Sequence, residues 1–454
     1  MKRVIFLVFI TLVSCSVGES INVEADLPVE TTKVISNNEV LDEIKYYLNE
    51  KNIPIQNDLF HVSLENCIDF LGGFLHVECM PPYKQVKEVD IDGTPVNLYK
   101  HDDKLYIVLK EGKIFEYDIE SEKNQLIFEQ EEITNIHEAG LLSIAINKDA
   151  KNFAVSYVNS NSELTVDIYK YNKSLSDYKF KEKAFVQKVV RPYVHIAGNL
   201  IWSEFFQDFL ISVGDNQEAN AYSRINPVPL NTLSNLGKII SLKNQDLNIP
   251  LITNNQNDSK KNIVAYGLRN PWQFFEFKKY LIVFDVGLSI NEEMNILNLN
   301  EAPQSLGWPI FEGGSKASLI DNISNYEIEI NYFKKDGPLD YNDTLTLLSD
   351  KSVAPKFFYN HFPTEKDYRA AIIGGDIFYK KNSELDLNIA SVDIATNEIF
   401  LYDLLSGDLM IHPPHNDAPK YTITSIRTIN NNNYDLVYTA FEGKLIFITL
   451  DYQN

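Results

Sequence analysis

His195 and Asp215 each sit beside a short apolar run, in YVHIAGNLIW and LISVGD. If the two runs are neighbouring strands of one sheet, imidazole and carboxylate meet at a shared end. A carboxylate there fixes the tautomer of the ring and raises its basicity, as a general base requires. Taken singly, His195 also fits a satisfied structural residue and Asp215 a turn cap before Asn216. Further along, AYGLRNPWQFFEF (265–277) places Arg269 and Asn270 directly before a proline. Pro271 removes a ladder donor and favours extended backbone before it, so both side chains are presented at a strand end. A permanently cationic guanidinium there can stabilise negative charge growing on a ligand oxygen.

Such residues need a scaffold of strands, and from about residue 86 one unit recurs: an apolar strand, a polar turn, a second strand, often a third. Six copies are legible, from VNLYKHDDKLYIVLKEGKIFEYDI to ITSIRTINNNNYDLVYTAFEGKLIFITL. Their starts lie roughly 45 to 55 residues apart where undisturbed, the period of propeller blades. The expected fold is all-β, a six-bladed β-propeller over 86–454. A β-sandwich is the alternative, because regular strand spacing alone fits both. A long insertion is expected between 296 and 365, and loops at one end of the channel are the expected home of function. Residues 15–85 read as a small α/β or irregular extension, with a helix predicted over NEVLDEIKYYLNEKN from its apolar face.

The segments AGLLSIAIN, HIAGNLIW, LISVGD, LGKIISL, YGLRNPW, DVGLSINEEMNIL and LGWPIFEGG follow one another in that order. Together they resemble the glucose/sorbosone dehydrogenase family, six-bladed propellers that include soluble quinoprotein sugar dehydrogenases. The resemblance implies an oxidoreductase that moves hydride from a sugar C1 to pyrroloquinoline quinone (PQQ), with calcium at the channel mouth and an external electron acceptor. It makes His195 the base, Asp215 its orienter, and Arg269 and Asn270 the quinone contacts. The carbonyls of Gly287 and Leu288 match ligands of the cofactor's calcium. Glu293 and the carbonyl of Leu306, where a tyrosine usually stands, match a structural calcium site. Backbone and carboxylate oxygens are the hard ligands calcium takes. At the lysine and two arginines that grip the carboxylates of PQQ, this chain carries Asp393, Thr422 and Thr424. The departure keeps a second expectation open, a binding propeller of the same family that has lost the cofactor.

The remaining features bound the setting. The net charge of −22 repels nucleic acid and anionic headgroups. MKR followed by VIFLVFITLV reads as an export signal over 1–14, and LVSC as a lipobox that leaves Cys15 lipidated, which places the chain in the periplasm or at the cell surface; a plain secretory signal is the alternative. Membrane attachment is then through the lipid alone. Cys67 and Cys79 remain, either bridged or as two buried thiols. HPPH (412–415) reads as a solvated loop, and no nucleophile elbow or phosphate-binding glycine loop is present.

Overall fold

The strand Leu436–Ala440 shows how this sequence builds its architecture. Successive side chains of a strand point to opposite faces. Leu436, Tyr438 and Ala440 therefore enter one hydrophobic cluster, and Val437 enters the next. Repeated over six sheets, this alternation leaves a buried apolar layer between every neighbouring pair. Each fully buried Leu, Ile, Val or Phe in these layers contributes about 1.5–3 kcal/mol.

The computed structural model describes residues 59–451, except 66, 74–75, 149–150, 172–173, 218–227, 231–233, 244–262, 289, 310, 314, 317–351, 365, 380–386, 405 and 430–432. The expected export signal, Cys15 and the helix predicted near residue 45 lie outside the described residues. The rest forms the expected six-bladed propeller. Blade 1 spans 95–129, blade 2 141–188, blade 3 197–266, blade 4 273–360 and blade 5 372–412. Blade 6 joins both parts of the chain: Ile423–Thr428, Leu436–Ala440 and Lys444–Thr449 are completed by Lys84–Asp90, antiparallel to the last of them. The first strand of each blade contacts the first strands of its two neighbours, which closes the ring.

Across the ring's centre, inner strands exchange side-chain hydrogen bonds. Asn97 of blade 1 donates to Asn199 of blade 3 at 2.9 Å, and Gln273 of blade 4 donates to Asn97 at 3.4 Å and to Ser425 of blade 6 at 2.7 Å. All four side chains are buried, so they form a polar floor across the channel.

The segment assigned to an N-terminal extension contributes strands of its own. The hairpin Leu59–Val62 and Phe70–Gly73 lies on the outer edge of blade 4, and Val77–Cys79 runs parallel to Leu409–His412 of blade 5. Cys67 and Cys79 are joined by a disulfide. Arg369 pins the same segment. Its guanidinium is fully buried, donates to Glu398 at 2.8 Å and to the carbonyls of Ile68 and Asp69 at 2.7 Å, and lies over the rings of Phe70 and Phe400. The long insertion separates the third strand of blade 4, Asn291–Asn298, from its fourth, Phe357–Asn360, and lends Gln304–Ser305 to blade 3 as a fifth, parallel strand.

His412 departs from the solvated loop read from HPPH. It ends the outer strand of blade 5, is buried, and faces the Pro81 carbonyl at 3.2 Å, whereas His415 is exposed. Burial pushes the His412 imidazole down to about 4. A depressed histidine stabilises the fold fully above its unfolded value near 6.5, and that contribution is lost as pH falls toward 4. The wild type is expected to lose about 3 kcal/mol relative to His412→Leu across that window. Urea unfolding of both proteins at several pH values checks this.

Candidate active site

Alternate strands run toward one end of the channel, and the turns at that end carry the residues singled out from the sequence. His195 leads into Ala197–Ser203, the inner strand of blade 3, and Asp215 follows Asp208–Val213, its second strand. The two strands pair antiparallel, which brings the side chains together: His195 Nδ1 lies 2.8 Å from Asp215 Oδ1, both groups buried. Tyr193, His195, Ala197, Asn216 and Gln217 all have positive φ. Each costs on the order of 1 kcal/mol in a non-glycine residue, and such strain gathers at functional sites.

Asp215 is fully engaged. Its Oδ1 also accepts the Gln217 amide at 2.9 Å, and Oδ2 accepts Trp308 Nε1–H at 3.0 Å. Burial pushes this carboxyl up, but the electrostatic interaction and hydrogen bond with the His195 ring, followed by Arg269 and the Gln217 amide, outweigh it and hold it below the usual carboxylate range. With a carboxylate at Nδ1, the proton of the neutral ring belongs there and Nε2 is left as the acceptor. Nε2 meets Arg269 Nη2 at 3.0 Å and Gln217 Nε2 at 3.4 Å.

Arg269 and Asn270 occupy the link between blades 3 and 4, and Asp285 holds them there. Its two oxygens accept the Arg269 amide at 2.8 Å and the Asn270 amide at 2.7 Å, while Arg269 Nη1 donates to the Val286 carbonyl at 2.8 Å. The Arg269 guanidinium lies 5.8 Å from the centre of the Trp308 ring. Arg269 Nε and Asn270 Oδ1 are buried without a hydrogen-bond partner among the described residues. An unsatisfied buried polar atom is costly, so this pair fits a ligand that supplies the missing partners.

Gly214 makes the constellation sterically possible. A Cβ at this position would lie 2.0 Å from the His195 carbonyl oxygen. Gly214→Ala is expected to displace His195 and destabilise the fold by about 2–3 kcal/mol. Equilibrium unfolding and the chemical shift of the His195 ring report the two effects separately.

The calcium positions are mixed. The backbone carbonyl oxygens of Gly287 and Leu288 accept no hydrogen bond among the described residues, so they are available to a cation. The loop carrying them is folded around Glu312, whose Oε1 accepts the amides of Leu288, Ile290 and Asn291 at 2.7, 2.8 and 3.2 Å. Glu293 is buried in the third strand of blade 4 and accepts the Gly313 amide at 2.8 Å. Burial pushes its carboxyl up, and the neighbouring Asp285 and Glu312 push it further. Leu306 follows the fifth strand of blade 3. Among the described residues, no three His, Cys, Asp or Glu side chains are grouped as a metal centre.

The three departures are built into the fold. The Asp393 carboxylate turns inward, accepting the Tyr359 hydroxyl at 2.9 Å and the Thr396 amide at 2.9 Å. Thr424 Oγ1 donates to the Pro95 carbonyl at 3.0 Å, tying blade 6 to blade 1. Thr422 donates its amide at 3.1 Å and its hydroxyl at 2.8 Å to Glu442. Arg427 is buried on the inner strand of blade 6, with Asp376 3.9 Å away, and does not replace them. The carboxylate grip of PQQ therefore does not fit these positions.

Sequence reading did not assign four residues of this site. Trp308 and Asp285 lie within the quoted GWP and DVG motifs, next to residues that were assigned. Gln217 follows Asp215 by two positions. Glu138 comes from the link between blades 1 and 2, and its Oε2 accepts the Ile196 amide at 3.1 Å. Burial pushes the Glu138 carboxyl up and outweighs the opposing interactions with the His195 ring, the Ile196 amide and the Arg269 guanidinium.

Among solved structures, the fold is similar to the PQQ-bound aldose sugar dehydrogenase of Streptomyces coelicolor (14% identity, 82% of this chain and 100% of that one, TM-score 0.55). It is also similar to the soluble aldose sugar dehydrogenase of Escherichia coli in its apo form (16% identity, 81% and 99%, TM-score 0.53). No curated protein sequence matches the chain. The glucose / sorbosone dehydrogenase family profile matches residues 94–330, just over half of the 454 residues and the part that carries His195, Asp215, Arg269 and Trp308. The chain belongs to the glucose/sorbosone dehydrogenase family.

Proposed function

We propose that this propeller is a dehydrogenase of a CH–OH group on an aldose or related sugar, with His195 as the base that takes the hydroxyl proton. One observation carries the reading: His195 Nδ1 is committed to the buried Asp215, while Nε2 is held toward the Arg269 guanidinium. A satisfied structural histidine does not need a left-handed backbone of its own and four more left-handed residues around it. In this reading a hydroxyl replaces Arg269 at Nε2, and the displaced guanidinium faces the negative charge that develops on the hydride acceptor. A bound redox cofactor supplies the acceptance of the hydride, and an external acceptor then removes the electrons. Calcium, where bound, is held by the carbonyls of Gly287 and Leu288, and a second ion by Glu293 with the carbonyl of Leu306.

Export and a lipid anchor at Cys15 belong to the same proposal. The Cys67–Cys79 disulfide supports an oxidising compartment.

Dye-linked oxidation of an aldose panel, with calcium and each of several quinones added, tests the reading. Turnover that His195→Ala abolishes without loss of the fold is the expected result. Turnover unchanged in that variant removes His195 as the base. No oxidation with any quinone favours the binding propeller, consistent with the altered residues at 393, 422 and 424.

A further inference from the structure

We infer that the side of the mouth formed by blades 5, 6 and 1, opposite Arg269, is built for an uncharged ligand end, so the redox partner of this site is a quinone without ring carboxylates. The inference rests on the dehydrogenase reading and names the class of its acceptor.

The charges at that end decide it. On blade 5, Asp393 is buried and spent on Tyr359 and Thr396. On blade 6, the turn 441–443 presents the exposed carboxylate of Glu442, fixed by Thr422. The nearby Lys444 ammonium is already held by Glu88 at 2.5 Å and Asp90 at 2.6 Å. On blade 1, Glu111 accepts the Thr94 amide at 3.0 Å, which fixes a second carboxylate beside the channel. The remaining cations among the described residues of these turns are Lys420, exposed on the link into blade 6 two residues before Thr422, and Lys110. The Lys110 stem packs on Gly140 of blade 2, where a Cβ would lie 2.5 Å from Lys110 Cγ, and its ammonium sits 6.0 Å from the Phe441 ring. The charges of Glu111 and Glu138 act on it. Two ammonium groups thus stand at an end that carries the carboxylates of Glu111, Glu138 and Glu442.

A quinone bearing three carboxylates would bring further negative charge against this set, without the paired cations that buried carboxylates require. An uncharged quinone meets no such opposition. It keeps the partners Arg269 and Asn270 offer to its oxygens. The redox balance is unchanged: the substrate carbinol loses a hydride and a proton to become a carbonyl, and the quinone gains both to become a hydroquinone, the proton passing by way of His195.

The test is quinone binding to the purified protein, read by quenching of tryptophan fluorescence, since Trp308 lies against Arg269. PQQ, its trimethyl ester and 1,4-naphthoquinone are titrated at low and high salt, with calcium present. The ester and the naphthoquinone are expected to saturate, with the ester binding about tenfold or more tighter than PQQ at low salt, and salt should narrow the gap by screening repulsion. The double variant Thr422→Arg/Glu442→Gln should raise PQQ affinity about tenfold and leave the ester unchanged. PQQ binding as tight as its ester and weakened by salt would overturn the inference, as would an absence of saturable quenching by either uncharged quinone. Aldose oxidation supported by PQQ alone sinks the inference while the dehydrogenase reading stands. Tight ester binding without oxidation of any aldose has the opposite outcome.

Discussion

Asp215→Asn is expected to lower the rate of sugar oxidation by roughly 10³–10⁴-fold while the propeller stays folded. The carboxylate accepts three hydrogen bonds, from His195 Nδ1–H, the Gln217 amide and Trp308 Nε1–H. An asparagine offers one oxygen and one NH₂ group. If its oxygen faces Trp308, its NH₂ donates to Nδ1, the ring proton moves to Nε2, and the base loses its lone pair. If its oxygen faces His195, two N–H groups oppose each other at Trp308, and the buried indole loses its partner. Steady-state rates with a dye acceptor, alongside thermal unfolding, separate lost chemistry from lost fold. A loss below tenfold in a folded variant would rule out Asp215 as the orienter. Asp215→Glu, which keeps the charge but not the reach, should recover part of the rate.

The largest effect on stability is expected at Glu398. Its Oε2 accepts Arg369 Nε–H at 2.8 Å and its Oε1 accepts the Ile68 amide at 3.1 Å. Glu398→Ala leaves a fully buried guanidinium without its counter-charge and should cost about 3–5 kcal/mol. The exposed pair Lys148–Glu204 provides the control, because removing it should cost about 1 kcal/mol or less. Urea denaturation measures both. Limited proteolysis should cut first near residues 67–70 in Glu398→Ala, because Arg369 also holds the carbonyls of Ile68 and Asp69.

The blades were legible because their strands are local: a run, a turn and the next run carry both the period and the pairing within about fifty residues. Closure was not legible. Lys84–Asp90 pairs with Lys444–Thr449, and no local pattern names a partner that distant. The same holds for Val77–Cys79, whose parallel partner is Leu409–His412. At the site, His195 and Asp215 could be paired from sequence because adjacent antiparallel strands carry them. Glu138 could not, since it arrives from the link between blades 1 and 2. His412 was misread because two prolines suggest a loop, whereas the residue before them ends a buried strand. Asp393 was legible as a departure, but its inward turn depends on Tyr359, which belongs to blade 4.

The polar floor formed by Asn97, Asn199, Gln273 and Ser425 has a kinetic consequence for the proposed enzyme. Among the described residues the channel is crossed at that level, so in the proposed enzyme the sugar, its oxidised product and the electron acceptor share the opening beside His195. The product then leaves before the acceptor arrives. Initial rates should follow double-displacement kinetics, with parallel lines in double-reciprocal plots, and an excess of either reactant should inhibit by occupying the form of the enzyme meant for the other.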